Sequence, residues 1–250
     1  MITDSFDIST APLMSPEDFY GKQKSLCDVC IITFSSVIFE TVLATFKCEH
    51  AASINAANGK RDIYLIDLDG TKIAIYLSGI GSSIAANDVI EANWLTGATK
   101  FIMFGSAGSL NKDLTEGKYV IPTEAYRDEG MSYHYAAPSD YIKINRSADV
   151  AEMFKELGLP FVEGRVWTTD AFYRETRSQV QKRKNDGCIA VEMELAGVQA
   201  VCDFHKFELY DFLVTGDVLD APTYVSDGLK SANHDLDKLY IALKIAQRIK

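Results

Sequence analysis

Basic residues are scarce in this chain, and the shortage excludes one large class of function. Lys and Arg number 25 against 35 Asp and Glu over 250 residues, a formal net charge of −10. A nucleic-acid surface needs a concentrated positive footprint to displace counterions, so no nucleic-acid partner is expected. A small anion held by a few local donors stays compatible with an acidic protein. Long apolar runs are also missing. None approaches the roughly 20 residues that span a bilayer, so no membrane partner is expected. The opening stretch MITDSFDISTAPLM has neither the basic start nor the apolar run of an export signal. Cysteine is sparse, five residues without framework spacing, which suits a reducing compartment. A cytoplasmic location is the expectation. Cys27-Asp-Val-Cys30 is the one suggestive pair, but Cys30 opens the apolar segment CIITF and no second pair follows, so buried thiols are expected. His50, His134, His205 and His234 show no metal-ligand spacing. No Gly-x-Ser-x-Gly elbow is present. Gly79-x-Gly81 lacks the third glycine and the downstream acid of a dinucleotide fingerprint. Neither a metal nor an organic cofactor is expected.

What is there is an alternation of short apolar runs and helical patterns. Residues 1–28, with Pro12 and Pro16, read as an irregular lead-in, and residues 29–250 as one domain. Val29 to Thr33 suits a buried strand, followed by a helix from Ser36 to Phe46. Asp62 to Asp67 and Lys72 to Leu77 flank Asp69-Gly70, a strong hairpin signal. A helix is expected from Ile84 to about Leu95, and a strand over Lys100 to Phe104 that ends in Gly105-Ser-Ala-Gly108-Ser. Val120 to Pro122 reads as a strand and Arg127 to Asp140 as an irregular, functional loop. Ala148 to Leu157 and Thr176 to Asn185 read as helices, with a strand over Phe161 to Trp167 between them. Glu192 to Phe204 reads as a helix, Leu209 to Val214 as a strand, and Leu236 to Ile249 as a closing amphipathic helix. The pattern predicts a single three-layer α/β domain with a mixed, twisted central sheet flanked by helices. In such folds ligands collect beyond the carboxyl ends of strands. Three polar, glycine-bearing segments are expected there: Ser78 to Ser83, Gly105 to Ser109, and Thr215 to Asp217.

Several residues in these segments have chemistry to offer. Around Gly105-Ser106, exposed backbone N–H groups and a hydroxyl can hold an anion; the competing reading is a plain tight turn. In Val191-Glu192-Met193-Glu194, one carboxylate can accept hydrogen bonds from sugar hydroxyls. As helix-start residues the two would point about 200° apart, which excludes a paired acid/base couple on one helical face; macrodipole carboxylates are the alternative. Asp217 follows an apolar strand and a glycine, where partial burial raises a carboxyl pKa and lets it donate a proton near neutrality. Thr169 and Phe172, in Thr168-Thr-Asp-Ala-Phe-Tyr173, set hydroxyls beside an aromatic that can stack on a planar base. His134, in Ser132-Tyr-His-Tyr135, is the one histidine with a functional setting.

Taken together these segments resemble the purine nucleoside and uridine phosphorylase superfamily, which includes methylthioadenosine/S-adenosylhomocysteine nucleosidases. Gly105-Ser-Ala-Gly108 resembles its phosphate-side strand end, Val191-Glu-Met-Glu194 its ribose-binding signature, and Thr215-Gly-Asp217 the Ser-Asp pair of purine-specific members. Arg127-Asp-Glu-Gly-Met-Ser-Tyr-His134 and Thr168-Thr-Asp-Ala-Phe-Tyr173 resemble segments of uridine-specific members. The resemblance implies a nucleoside phosphorylase fold and phosphorolysis of an N-glycosidic bond, with phosphate as co-substrate and Asp217 favouring a purine. Hydrolysis of the same bond, action on uridine, and non-catalytic nucleoside binding are the alternatives. It further implies that Glu194 and Met193 hold the ribose, that Phe172 packs on the base with Glu192 nearby, and that Gly105 and Ser106 face the nucleophile. Asp217 would protonate the leaving base. A homo-oligomer, dimer or hexamer, is implied as well. The chain departs from the pattern at two phosphate-binding arginines: Met103 or Phe104 stands at one place, and Phe34-Ser-Ser-Val-Ile38 occupies the other. Lys47, His50 and Arg127 are the cations left to compensate, from a neighbouring subunit.

Overall fold

In the computed structural model, which describes residues 1–250, ten strands form a single sheet and helices cover both of its faces. A 3₁₀ turn at Ile2–Asp4 precedes a short helix α1 (Pro16–Tyr20), then come β1 (Val29–Thr33), α2 (Ser36–Thr45), β2 (Cys48–Ala56), β3 (Gly59–Leu68) and β4 (Thr71–Leu77). Next come α3 (Ser82–Thr96), β5 (Lys100–Ser109), α4 (Lys112–Thr115), β6 (Tyr119–Asp128), α5 (Ser132–Tyr135) and β7 (Tyr141–Lys143). The last third holds α6 (Ser147–Glu156), β8 (Phe161–Thr169), α7 (Arg177–Asn185), β9 (Cys188–Glu192), α8 (Leu195–His205), β10 (Glu208–Val218), α9 (Leu229–Asn233) and α10 (Asp237–Ile249).

Strand periodicity explains the layering. Along β1, Cys30 and Ile32 face one apolar cluster with α3 and α8, while Val29 and Ile31 face another with α2, α6 and α10. The same alternation holds in β4 and β5. Strands buried on both faces read as continuous apolar runs, which is why these elements were visible in the sequence. The Asp69-Gly70 turn joins β3 to β4 with φ of 53° and 82°, the positive values that a tight hairpin turn requires.

Two features depart from a simple open sheet. The strand order runs β10-β6-β8-β9-β5-β1-β4-β3-β2, and β10 also pairs with β5, so five strands close into a ring and the other four extend from β5 as an arm, with β7 beside β6. The second concerns strand ends. Gly105 to Ser109 is not a turn but the second half of β5, where Gly108 and Ser109 pair with Val191 and Ala190 of β9. Likewise β10 runs on through Asp217, with a register shift at Gly216. These segments stay extended because the closing ring supplies new partners for their backbone groups, which an open sheet would leave bare.

Other boundaries are also corrected. Glu192 ends β9 and the following helix starts at Leu195, because the apolar run Cys188 to Val191 is claimed by β8 and β5. The edge strand β2, the helix α9 and the short helix α1 carry no clear periodicity in sequence. α1 docks the lead-in against α3: the Trp94 indole donates to the Gly21 carbonyl at 2.7 Å, and the Tyr20 hydroxyl donates to Glu91.

Candidate active site

Where the ring of strands meets the arm, β1, β5, β9 and β10 end around one cavity of about 610 Å³. That is within the range of small-molecule sites, roughly 300–1,000 Å³. Seven of the expected residues line it: Gly105, Ser106, Phe172, Glu192, Met193, Glu194 and Asp217. Each arrives by a different local cause.

Glu192 and Glu194 are brought to the same wall by the bend between β9 and α8. The Glu192 carboxylate turns back on the chain, accepting from the N–H groups of Glu194 and Leu195 at 2.7 Å each, and from the Thr168 hydroxyl. It therefore serves as the cap of α8, meeting donors that a helix start leaves open. Glu194 also lines the cavity, and its Oε1 accepts from the Gly81 N–H at 2.7 Å. Both carboxyls are nearly enclosed, at 6% and 9% exposure. Burial holds both pKa values above the usual carboxylate range, and for Glu194 the Glu192 charge adds to it.

Asp217 stands opposite Gly108 of β5, beyond the Gly216 bulge. A Cβ on Gly108 would lie 2.4 Å from Leu219 Cδ1, 2.9 Å from Val191 Cγ1 and 3.4 Å from Asp217 Oδ2, so the bare glycine lets three elements converge there. Burial raises the Asp217 pKa, and the Tyr224 hydroxyl beside it pulls partly the other way. Glu175, on the loop before α7, lines the same wall; burial first and then the Asp217 charge push its pKa up to about 7.

At the other end of the cavity the lining is neutral or basic. Ser35 caps α2, accepting from the Ile38 N–H at 3.2 Å, and its Oγ lies 2.8 Å from His234 Nδ1. The Ser106 hydroxyl donates to Asn233 Oδ1. Lys238 is enclosed at the start of α10, with its ammonium on the Ala232 carbonyl and a pKa lowered to about 8 by burial. No arginine lines the cavity. No group of three or more His, Cys, Asp or Glu side chains is placed to hold a metal ion.

Three expected residues stand apart from this cavity. Arg127 is buried in its own loop: Nε donates to Ser132 Oγ at 2.8 Å, Nη1 to the Ala137 carbonyl at 2.7 Å, and Nη2 to the Ala136 carbonyl at 3.3 Å, with the guanidinium 4.2 Å from the Tyr133 ring centroid. Its donors are spent on holding the segment after β6. His134 is exposed on α5. Thr169 is buried, with its hydroxyl accepting from the Ala171 N–H. Of the remaining cations, His50 pairs with Asp62 on the β2–β3 edge. Sequence reasoning in turn missed Ser35, Glu175, Asn233, His234 and Lys238 as site residues. Ser35 was marked only by lying where the phosphate arginine is replaced; the other four carry no local signal.

Comparison with known proteins bears on the family and the fold. The profile of the phosphorylase superfamily matches residues 28–247. The chain belongs to the phosphorylase superfamily. Among its relatives, it is 28% identical over 159 residues to a purine nucleoside phosphorylase of the DeoD type from Exiguobacterium sibiricum, covering 60% of this chain and 65% of that protein. It is 32% identical over 151 residues to a guanosine phosphorylase from Halorubrum lacusprofundi, covering 58% and 61%. These alignments thus span less than two thirds of either relative's length. Among solved structures, the 5′-methylthioadenosine/S-adenosylhomocysteine nucleosidase of Campylobacter jejuni superposes with a TM-score of 0.71 at 20% identity, covering 89% of this chain and 99% of that one. That likeness is one of fold.

Proposed function

We propose that this superfamily member breaks the N-glycosidic bond of a purine nucleoside in the cavity between β5, β9 and β10. The observation that carries the reading is the placement of Glu194, at the start of α8, and Asp217, on β10, two enclosed carboxyls, in one cavity with Ser106. The Glu194 carboxylate would accept from the ribose hydroxyls, beside Met193. Phe172, at the mouth and 41% exposed, would pack on the base. Asp217 would give its proton to the purine ring as the C1′–N bond breaks and positive charge gathers on the sugar. A raised pKa suits that role, because only the protonated form can donate. The Asp217 acid is also what favours a purine, whose ring nitrogens accept the proton directly.

The acceptor of the sugar is the finer question, and the cavity favours water. A phosphate dianion leaving solvent needs compensating charge and hydrogen bonds, yet the lining holds four carboxyls and no arginine. Phosphorolysis, the reaction named for the sequence relatives, rests here on one observation, the buried Lys238 at the basic end. The dimer or hexamer implied by the resemblance would cover Ile80, Phe172 and Tyr173 at the mouth, which are 62%, 41% and 95% exposed.

The test is release of free base from inosine, adenosine, guanosine, uridine and methylthioadenosine, with and without phosphate, followed by chromatography. Release from purine nucleosides at the same rate in both buffers supports the reading. Release that needs phosphate moves the protein to phosphorolysis. Binding without turnover on every substrate removes the enzymatic reading.

A further inference from the structure

We propose that His234, held by Ser35, is the general base that takes the proton from the attacking water. The inference rests on the hydrolytic reading above and adds a residue to it.

Three observations converge on the pair. The first is contact: Ser35 Oγ and His234 Nδ1 are 2.8 Å apart, and both residues line the cavity. Ser35 is fixed in turn, because its Oγ accepts from the Ile38 N–H and its backbone N–H donates to Thr33 Oγ1 at 3.3 Å. A serine oxygen has a second lone pair, so it can also receive Nδ1–H. In that tautomer the proton sits on Nδ1 and the Nε2 lone pair is open, the form the proposal uses. Nε2 makes no hydrogen bond within the chain and is not among the sealed, unpartnered atoms.

The second observation is direction. β5 lies between β1 and β10, pairing Phe104 with Thr33 on one side and Phe212 on the other. Ser35, just past the end of β1, and Asp217, near the end of β10, therefore flank the Ser106 segment from opposite sides. Two strand spacings separate them, about 10 Å between backbones, which leaves room for a sugar ring. A displacement at C1′ requires the nucleophile on the face away from the leaving base, and the two sides of β5 supply those two positions.

The third is a hydrogen-bonding pair beside His234. The Ser106 hydroxyl and Asn233 are joined by a hydrogen bond beside His234, a set of small donors and acceptors that can orient a water.

The step balances without any further reactant. The water oxygen forms a bond to C1′ while its proton passes to His234 Nε2. The C1′–N bond breaks, its electron pair goes to the base, and Asp217 supplies the proton. Free sugar and free base leave, and solvent returns the proton from His234 to Asp217.

The experiment measures steady-state base release from the purine nucleoside used best, in phosphate-free buffer, for the wild type, His234→Ala, His234→Asn and Ser35→Ala, with melting temperatures alongside. Loss of a positioned general base lowers kcat by on the order of 10²–10⁴-fold, with the nucleoside KM little changed. Added imidazole should restore part of the His234→Ala rate, a response that a merely structural histidine would not give. Ser35→Ala should lose less, and imidazole should not rescue it. If the alanine variant does not fold, the asparagine variant carries the same comparison. Full kcat in a folded His234 variant overturns the proposal. So does a wild type that releases base only with phosphate and forms a sugar 1-phosphate, which leaves glycosidic cleavage itself standing. A wild type inactive on every nucleoside in both buffers removes both readings together.

Discussion

Replacing Gly216 with alanine should disable the cavity without touching any of its polar groups. At this bulge in β10 a Cβ would stand 2.7 Å from the Ala232 Cβ, 2.9 Å from the Leu229 Cα and 3.3 Å from the Gly228 carbonyl oxygen. Two of those three atoms are backbone, so no side-chain rotation relieves the contact. An ordinary carbon–carbon separation is about 3.5–4.0 Å, so α9 must move away from β10 by on the order of 1 Å. Asn233 closes α9 and His234 follows it, so both are carried along. Overpacking of this kind costs about 1–3 kcal/mol. For a chain of this size that lowers the melting temperature by roughly 2–12 °C, taking about 2–4 °C per kcal/mol. A 1 Å misplacement of catalytic groups can reduce turnover about 10²-fold. Steady-state base release and differential scanning calorimetry on Gly216→Ala read both effects. Unchanged turnover together with an unchanged melting temperature would refute the argument that the Gly216 contact positions the basic end of the cavity.

Other consequences are open to measurement. Asp217→Asn should lower kcat for purine release by about 10²–10⁴-fold with a smaller change in nucleoside binding; full turnover in this variant would take Asp217 out of the reaction. Glu194→Ala should erase discrimination between ribo- and 2′-deoxyribonucleosides, since a neutral hydrogen bond is worth about 0.5–1.5 kcal/mol, roughly 2–13-fold; an unaltered ratio of kcat/KM values would contradict its contact with the sugar. Stability should depend on pH in an unusual direction. Burial raises the pKa values of Glu192, Glu194, Asp211 and Asp217, and that of Glu175 to about 7 from 4.5. The folded state therefore binds more protons than the unfolded chain in that window, and stability falls as pH rises through it. The ligand-free melting temperature should be higher near pH 5 than near pH 7.5, and a rise over that interval would contradict the burial argument.

The legible parts of the fold were those whose local pattern and tertiary role agree. β1 is apolar on both faces because both faces are covered, and Asp69-Gly70 specifies its hairpin by backbone conformation alone. α10 shows its apolar stripe because one side packs on the sheet while Tyr240 stays outside. β2 was not legible: its burial alternates only weakly, and its extended form comes from pairing with β3. Closure of the ring through β10 and β5 is a long-range pairing that no short window contains, and it turns two apparent glycine turns into strand. In the site, Glu194, Asp217 and Ser106 could be named because each follows an apolar strand. Arg127 and His134 looked functional for their polarity, yet Arg127 is consumed by its own loop. His234 sits in Ser-Ala-Asn-His-Asp, a segment that reads as polar surface; only the close approach of Gly216 to Leu229 and Ala232 brings it against Ser35.

A crystal structure of the protein with a purine C-nucleoside, whose glycosidic carbon–carbon bond resists cleavage, tests the central arrangement most directly. The account predicts the ribose hydroxyls on the Glu194 carboxylate, a purine ring nitrogen facing Asp217, and a water between C1′ and His234. A ligand bound outside this cavity, or lodged in it with the sugar turned away from Glu194, would contradict the account.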